Sequence, residues 1–126
     1  MTRPNSPSKK EPVKIFNTDK QKYLADNAAI ADTPWSRMIG LLQHQELPKK
    51  EGLVITRCNS IHMFFMRFAI DVVFVDKNDH VVGLVENIKP WRLSPIFFKA
   101  SYVIELPAGV IQETGTSKND KIEIQK

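Results

Sequence analysis

One short stretch, residues 58–76 (CNSIHMFFMRFAIDVVFVD), carries reactive side chains within an otherwise apolar run. A cysteine and a histidine can act together as nucleophile and base, so Cys58 and His62 are the first pair to consider. They lie four positions apart, and four residues of extended chain span about 13 Å. The spacing therefore favours a half-buried structural cysteine over a Cys–His catalytic centre.

The sequence offers little for binding a metal ion. Structural zinc needs four Cys or His ligands at recognisable spacing, and this chain has one cysteine and three scattered histidines. A mixed site built from His62, Asp71 and Glu105 is conceivable, but no spacing requires it. We therefore expect neither a metal ion nor another cofactor.

Asp71 opens an apolar strand and shares one strand face with Val73 and Val75. An isolated buried charge is very costly, so this carboxylate needs a partner. Arg67 and Arg92 are the two candidates, since the arginine fork binds a carboxylate through two hydrogen bonds. We expect a buried brace that fixes a loop to the sheet, with a ligand-binding polar cluster as the alternative.

Trp91 and Arg92 lie in a proline-bounded loop, residues 89–95 (KPWRLSP). Together they can form a flat wall that stacks a ring or clamps an anion, or Trp91 can plug one end of a barrel. Glu105 shares a strand face with Val103 and also needs a partner if that face is buried.

The elements that must position these residues are mainly short strands. A helix is predicted over residues 33–42, because Thr33 suits the N-cap, Pro34 suits the first helical position, and apolar residues recur on one face. Strands are predicted at 12–16, 23–32, 52–56, 63–68, 70–76, 81–88, 101–109 and 121–124. This order predicts a mainly β (α+β) fold, a small and mostly antiparallel barrel-like domain with one short helix.

The apolar side chains around this stretch exceed what one core face can hold. Residues 63–68 (MFFMRF) are apolar on both faces of the predicted strand, and Phe97 and Phe98 follow the Trp91 loop. We expect most of them in the core and the exposed remainder to form an interaction patch.

Length and charge limit the classes of protein to consider. We expect a disordered basic tail at residues 1–11 and a single β-rich domain at 12–126. Residues 1–22 carry the whole net charge of +4 and the remainder is balanced, so a nucleic-acid-binding face is not expected. The lone cysteine fits a reducing compartment, and neither a secretory signal nor an apolar run of about 20 residues is present. These features predict a cytoplasmic protein without a membrane span.

Several blocks together resemble a known family. The segments SRMIGLL, SIHMFFMRFAIDVVFVD, PWRLSP, YVIELPAG and KNDKIEI, in this order, resemble the uncharacterised bacterial and archaeal family called domain of unknown function 192. The resemblance implies a compact, mainly β barrel with one helix, and it implies no reaction. This sequence has Met63 where the family pattern suggests Thr, and Asn119 where Gly often precedes Asp120.

Three functions remain open from the sequence. The first is a non-enzymatic binding module, in which a polar cluster beside an apolar cleft holds a small anionic ligand or a partner protein. The members of that cluster are His62, Arg67, Asp71, Trp91 and Arg92, with Cys58 and Glu105 as possible supporting residues. The second is a hydrolase-like enzyme with His62 as general base or metal ligand, oriented by Asp71 or Glu105. The third and weakest is nucleic-acid binding through the basic tail. The ligand and the oligomeric state are beyond the sequence.

Overall fold

The computed structural model of the protein describes residues 11–32, 46–64 and 66–126. These residues form seven strands and one short helix. The elements are β1 (Val13–Asn17), β2 (Lys22–Ala31), β3 (Glu51–Thr56), β4 (Ile70–Asp76), β5 (Val81–Ile88), β6 (Ala100–Pro107), α1 (Val110–Thr114) and β7 (Ile122–Gln125). The helix predicted over residues 33–42 lies outside the described residues, as does all but the last residue of the predicted tail.

The strands form one sheet in the order β5-β4-β6-β3-β2-β1-β7. Only β2 and β3 pair in parallel, while the other neighbouring strands are antiparallel. Every residue of β4 except its last is buried, because a strand with apolar side chains on both faces must lie inside a sheet that is covered on both sides. The predicted mainly β fold is therefore confirmed.

The two faces of the sheet support two apolar cores. The first contains Val73 and Ile104 together with Val81 of edge strand β5 and Ile122 of edge strand β7. Because side chains from both edges meet in this core, the sheet curls around it into a half-barrel. The second core lies on the opposite face and includes Val72, Phe74, Val103, Met63 and Met66.

Backbone hydrogen bonds draw the two sheet edges together at one end. The amide of Val81 donates to the carbonyl of Asp120 at 2.9 Å, and the amide of Asn119 donates back to Val81 at 2.8 Å. Asn119 adopts a left-handed conformation with φ of 77°, which asparagine accepts better than most residues other than glycine. This explains why the position tolerates Asn where the family pattern suggests Gly.

The predicted strand over residues 63–68 is wrong. The amide of Met66 donates to the carbonyl of Met63 at 3.2 Å, which makes a turn, and none of the described residues in this range lies in a strand. Met63 and Met66 both pack into the second core. The chain turns here because two apolar side chains three residues apart enter the same core.

No helix among the residues that the structure describes is long and apolar enough to cross a membrane.

Candidate functional site

The two segments that the sequence marks as chemically interesting lie side by side. The amide of Met63 donates to the carbonyl of Arg92 at 2.7 Å, and the amide of Trp91 donates to Met63 at 2.7 Å. Farther along, the amide of Ser94 donates to Ile61 at 3.0 Å, while the Ser94 hydroxyl accepts the Ile61 amide at 2.8 Å. These bonds hold residues 61–63 and 91–94 as an irregular two-stranded platform.

Three aromatic rings form a row across this platform. The ring of His62 lies 5.0 Å from that of Phe64, and Phe64 lies 5.9 Å from Trp91. The Nδ1 atom of His62 accepts the Phe64 amide at 3.3 Å. Trp91 adopts a left-handed conformation with φ of 68°, which is costly for a bulky side chain and persists only where the surroundings impose it.

The outer side of the platform exposes an unusual amount of apolar surface. The exposed fractions are 38% for Phe64, 59% for Trp91, 68% for Leu93, 53% for Ile96 and 84% for Phe98. Single exposed apolar residues are ordinary, but several of them concentrated in two segments that lie side by side indicate an interaction site. We call this region the aromatic surface, and its members are His62, Phe64, Trp91, Arg92, Leu93, Ile96 and Phe98.

Phe97 anchors the same loop to the sheet. Its ring lies 4.4 Å from the ring of Phe74 in β4, and it occupies the space that a side chain at Gly83 in β5 would need. Phe97 also donates its amide to the carbonyl of Asn59 at 2.9 Å. The loop is thus held in place while its neighbours Ile96 and Phe98 point outward.

Charge is unevenly distributed around the aromatic surface. The two segments that build it and its margins, residues 57–70 and 87–101, contain no Asp or Glu. Their charged side chains are all basic: Arg57, Arg67, Lys89, Arg92 and Lys99. The balanced charge of residues 23–126 therefore conceals a basic region that only folding assembles.

Asp71 belongs to a different part of the molecule. It is fully buried, and its carboxylate accepts three backbone amides, from Asn87 at 2.8 Å, Gly109 at 3.0 Å and Ile111 at 2.9 Å. These amides take the place of the arginine partner that the sequence suggested. Both oxygens are occupied, so Asp71 is not available to orient His62 or to contact a ligand.

Glu105 is the second buried carboxyl group. Its neighbours across the sheet are Leu53 in β3 and Val72 in β4, both in the second core with Val103. Burial raises the pKa of Glu105 to about 7. The predicted shared face of Glu105 and Val103 is confirmed, but the described part of the chain provides no hydrogen-bonding partner for the carboxyl group.

Cys58 is half-buried, and its thiol donates to the carbonyl of Ser60 at 3.0 Å. His62 instead accepts the Phe64 amide, so the contacts direct these two side chains to different neighbours. No group of three His, Cys, Asp or Glu side chains within the described ranges could hold a metal ion.

The structure thus separates the predicted cluster. It brings His62, Trp91 and Arg92 together and places Asp71 and Glu105 in the interior. Arg67 is exposed and remains a predicted ligand-binding residue. Leu93 and Ile96 were missed, although Leu93 lies between Pro90 and Pro95 and Ile96 directly follows Pro95, which indicates a loop that cannot bury every apolar side chain.

Comparison with known proteins agrees with this fold. A family model for DUF192, described as Uncharacterized ACR, matches residues 15–124. A UPF0127 protein of Thermococcus sibiricus is 36% identical over 113 residues, which cover 86% of this chain and 73% of that protein. A UPF0127 protein of Pyrococcus abyssi is 42% identical over 114 residues, covering 86% and 95%. Both organisms are archaea.

Two solved structures share the architecture. A protein of unknown function from Novosphingobium aromaticivorans has a TM-score of 0.77 at 23% identity, covering 89% of this chain and 83% of that one. A second structure, from Sinorhizobium meliloti, has a TM-score of 0.75 at 22% identity, covering 90% and 92%. At these identities the likeness concerns the fold alone. The family match and the identity to its relatives together show that this chain belongs to the DUF192 (UPF0127) family.

Proposed function

We propose that the protein is a non-enzymatic, cytoplasmic binding module that holds an acidic and apolar segment of a partner protein on its aromatic surface. The observation that carries this proposal is that exposed Trp91, Leu93 and Phe98 lie in or beside segments 57–70 and 87–101, whose charged side chains are all basic. Apolar side chains supply binding energy when a partner covers them, while the surrounding charge selects the partner's sign.

The position of Arg92 favours a protein over a lipid surface. Arg92 is exposed and lies between the exposed Trp91 and Leu93 in the chain, so a positive charge accompanies these apolar side chains. A guanidinium group inside a protein interface can pair with a carboxylate through two hydrogen bonds. The same group is costly to place within hydrocarbon.

The arrangement of the rings favours a protein over single-stranded nucleic acid. Phe64 lies between His62 and Trp91 in the aromatic row, so neighbouring rings restrict access to its faces. Base stacking requires open aromatic faces, whereas two of the most exposed side chains, Leu93 and Ile96, are aliphatic. Aromatic and arginine side chains together are typical of the centres of protein interfaces.

The platform also has the rigidity that binding favours. Backbone bonds join residues 61–63 to residues 91–94, and Pro90 and Pro95 border the exposed loop. A surface that is already ordered loses less conformational entropy on binding.

A peptide titration tests the proposal. The probe is a synthetic 12-residue peptide that alternates Glu with Leu and Trp, compared with the same peptide carrying Lys in place of Glu. We expect the acidic peptide to shift the amide resonances of residues 61–64 and 91–98, and the double variant Leu93→Ser/Phe98→Ser to bind at least about tenfold more weakly. Tyr23→Ser is the matched control, because Tyr23 is an exposed aromatic residue in β2, outside the two segments.

Three results would contradict the proposal. Equal binding of the Lys peptide would show that charge does not select the partner. Resonance shifts confined to other residues would show that the peptide binds elsewhere. Binding to phosphatidylglycerol vesicles or to an oligonucleotide, without binding to the acidic peptide, would assign the surface to a different class of partner.

A further inference from the structure

A second feature lies where β3 ends and β6 begins. An open pocket of about 490 Å³ is lined by Arg57, Cys58, Asn59, Ser60, Ala100 and Ser101. Pockets that bind small molecules have volumes of roughly 300–1,000 Å³. The space is therefore adequate for a small metabolite, and it is separate from the exposed side chains of the aromatic surface.

The backbone of this pocket is fixed by internal hydrogen bonds. The amide of Cys58 donates to the carbonyl of Ser101 at 3.3 Å and joins the two sides of the pocket. The Cys58 thiol donates to the carbonyl of Ser60. Arg57 adopts a left-handed conformation with φ of 50°, where the chain leaves β3 and turns to form the wall.

The polar side chains that line the pocket keep their donors available. No hydrogen bond or ion pair joins the side chains of Arg57, Asn59, Ser60 or Ser101 to the described part of the chain. Together they provide a guanidinium group, an amide and two hydroxyls around one space. Elsewhere in the fold, polar side chains such as Asn17 and Tyr102 are bonded to protein partners.

The charge of the lining indicates the ligand's chemistry. Among the described residues that line the pocket, Arg57 is the one charged residue and none is acidic. Guanidinium and hydroxyl donors match the oxygens of a carboxylate or phosphate group. Lys99, next to Ala100 in the chain, adds positive charge close to the pocket.

We propose that this pocket binds a small molecule through a carboxylate or phosphate group, with Arg57 supplying the charge and Ser60 and Ser101 supplying hydrogen bonds. This site is distinct from the aromatic surface, since none of its lining residues belongs to that surface, although Arg57 also contributes to the basic margin described above. It assigns the protein a small-molecule ligand in addition to a partner.

Anion titrations followed by amide resonances test this site. The probes are inorganic phosphate and acetate, each compared with chloride at equal ionic strength. We expect saturable shifts confined to residues 57–60 and 99–101. Arg57→Gln should weaken the binding at least about tenfold, and Ser60→Ala/Ser101→Ala should weaken it several-fold. Lys22→Gln is the control, because it removes the same charge at another place. Lys22 begins β2, whereas the other end of β2 pairs with the end of β3 that leads to Arg57.

The two anions also separate the possible sources of the ligand. Saturation by phosphate alone would identify phosphate esters, and saturation by acetate alone would identify carboxylic acids. Shifts that do not saturate, that chloride reproduces, or that persist in a folded Arg57→Gln variant would overturn the proposal. Thermal denaturation of each variant confirms that it is folded.

Discussion

Glu105 in β6 and Asp71 in β4 are buried carboxyl groups on adjacent strands, and each pairs with the chain neighbour of the other. Their surroundings nevertheless differ. Asp71 accepts three backbone amides, from Asn87, Gly109 and Ile111. Glu105 faces Leu53 and Val72, and burial raises its pKa to about 7. The two carboxyl groups therefore differ because Asp71 meets hydrogen-bond donors and Glu105 meets apolar neighbours.

The raised pKa of Glu105 predicts a specific dependence of stability on pH. The protonated carboxyl group contributes stability that is fully present below the ordinary pKa of 4.5 and is lost as the pH rises through about 7. Glu105→Gln cannot ionise. We therefore compare the unfolding free energy of the variant with that of wild type at each pH. This difference should be about 3 kcal/mol more in favour of the variant above about pH 7 than below pH 4.5.

Urea denaturation at a series of pH values measures this difference. Glu86→Gln, at an exposed position of β5, is the control and should show no such trend. A difference between wild type and Glu105→Gln that stays constant with pH would contradict the assigned pKa.

At the scale of elements, Asp71 joins three parts of the fold. It extends from β4 to the amide of Asn87 in β5 and to the amides of Gly109 and Ile111 at the start of α1. The helix has no capping bond from its own N-cap residue, Gly109. A carboxylate at a helix N-terminus satisfies unpaired amides and complements the helix dipole, so Asp71 supplies the missing cap from a neighbouring strand.

Asp71→Asn is expected to destabilise the protein by about 3 kcal/mol, because the neutral amide loses charge-assisted bonds and points an NH₂ group at backbone donors. The midpoint and slope of urea unfolding measure this loss. Asp26→Asn, at an exposed position of β2, should change stability by less than about 0.5 kcal/mol. A loss as small in Asp71→Asn as in the control would show that the brace is dispensable.

At the scale of the whole molecule, Asp120 holds the region where the sheet edges meet. Its carboxylate accepts Lys20 at 2.9 Å, Asn17 at 3.0 Å and the Ser117 amide at 2.8 Å, while its backbone carbonyl accepts the amide of Val81. Burial favours a higher pKa for Asp120, but the bonds from Asn17, Lys20 and Ser117 outweigh it and keep the pKa below its ordinary value.

We expect Asp120→Asn to lower stability by about 2 kcal/mol near neutral pH. The stability that the lowered pKa provides is present above the ordinary value of 3.8 and is lost as the pH falls through the folded-state value. The difference between wild type and variant should therefore shrink in acid, as measured by chemical denaturation at several pH values. A difference that grows as the pH falls would exclude this role.

The sequence by itself determined the strands and the overall class of fold. All seven strands of the described residues begin and end within two residues of their predicted positions, and β4 and β5 match fully, because β-branched runs between turn residues specify local structure. Residues 63–68 failed because periodicity alone cannot show that Met63 and Met66 enter one core through a turn. The helix α1 was missed because it is too short to leave a periodic pattern.

Which polar residues act together depends on contacts between segments that are distant in the chain. The sequence grouped Asp71 with His62, Trp91 and Arg92, but the curl of the sheet directs Asp71 inward against α1 and leaves the others on the platform. It also brought together two acid-free segments that residues 71–86 separate in the chain, although the total charge suggested a neutral domain. Local composition specifies the strands, whereas side-chain partners and surface charge depend on contacts between distant segments that only the folded chain creates.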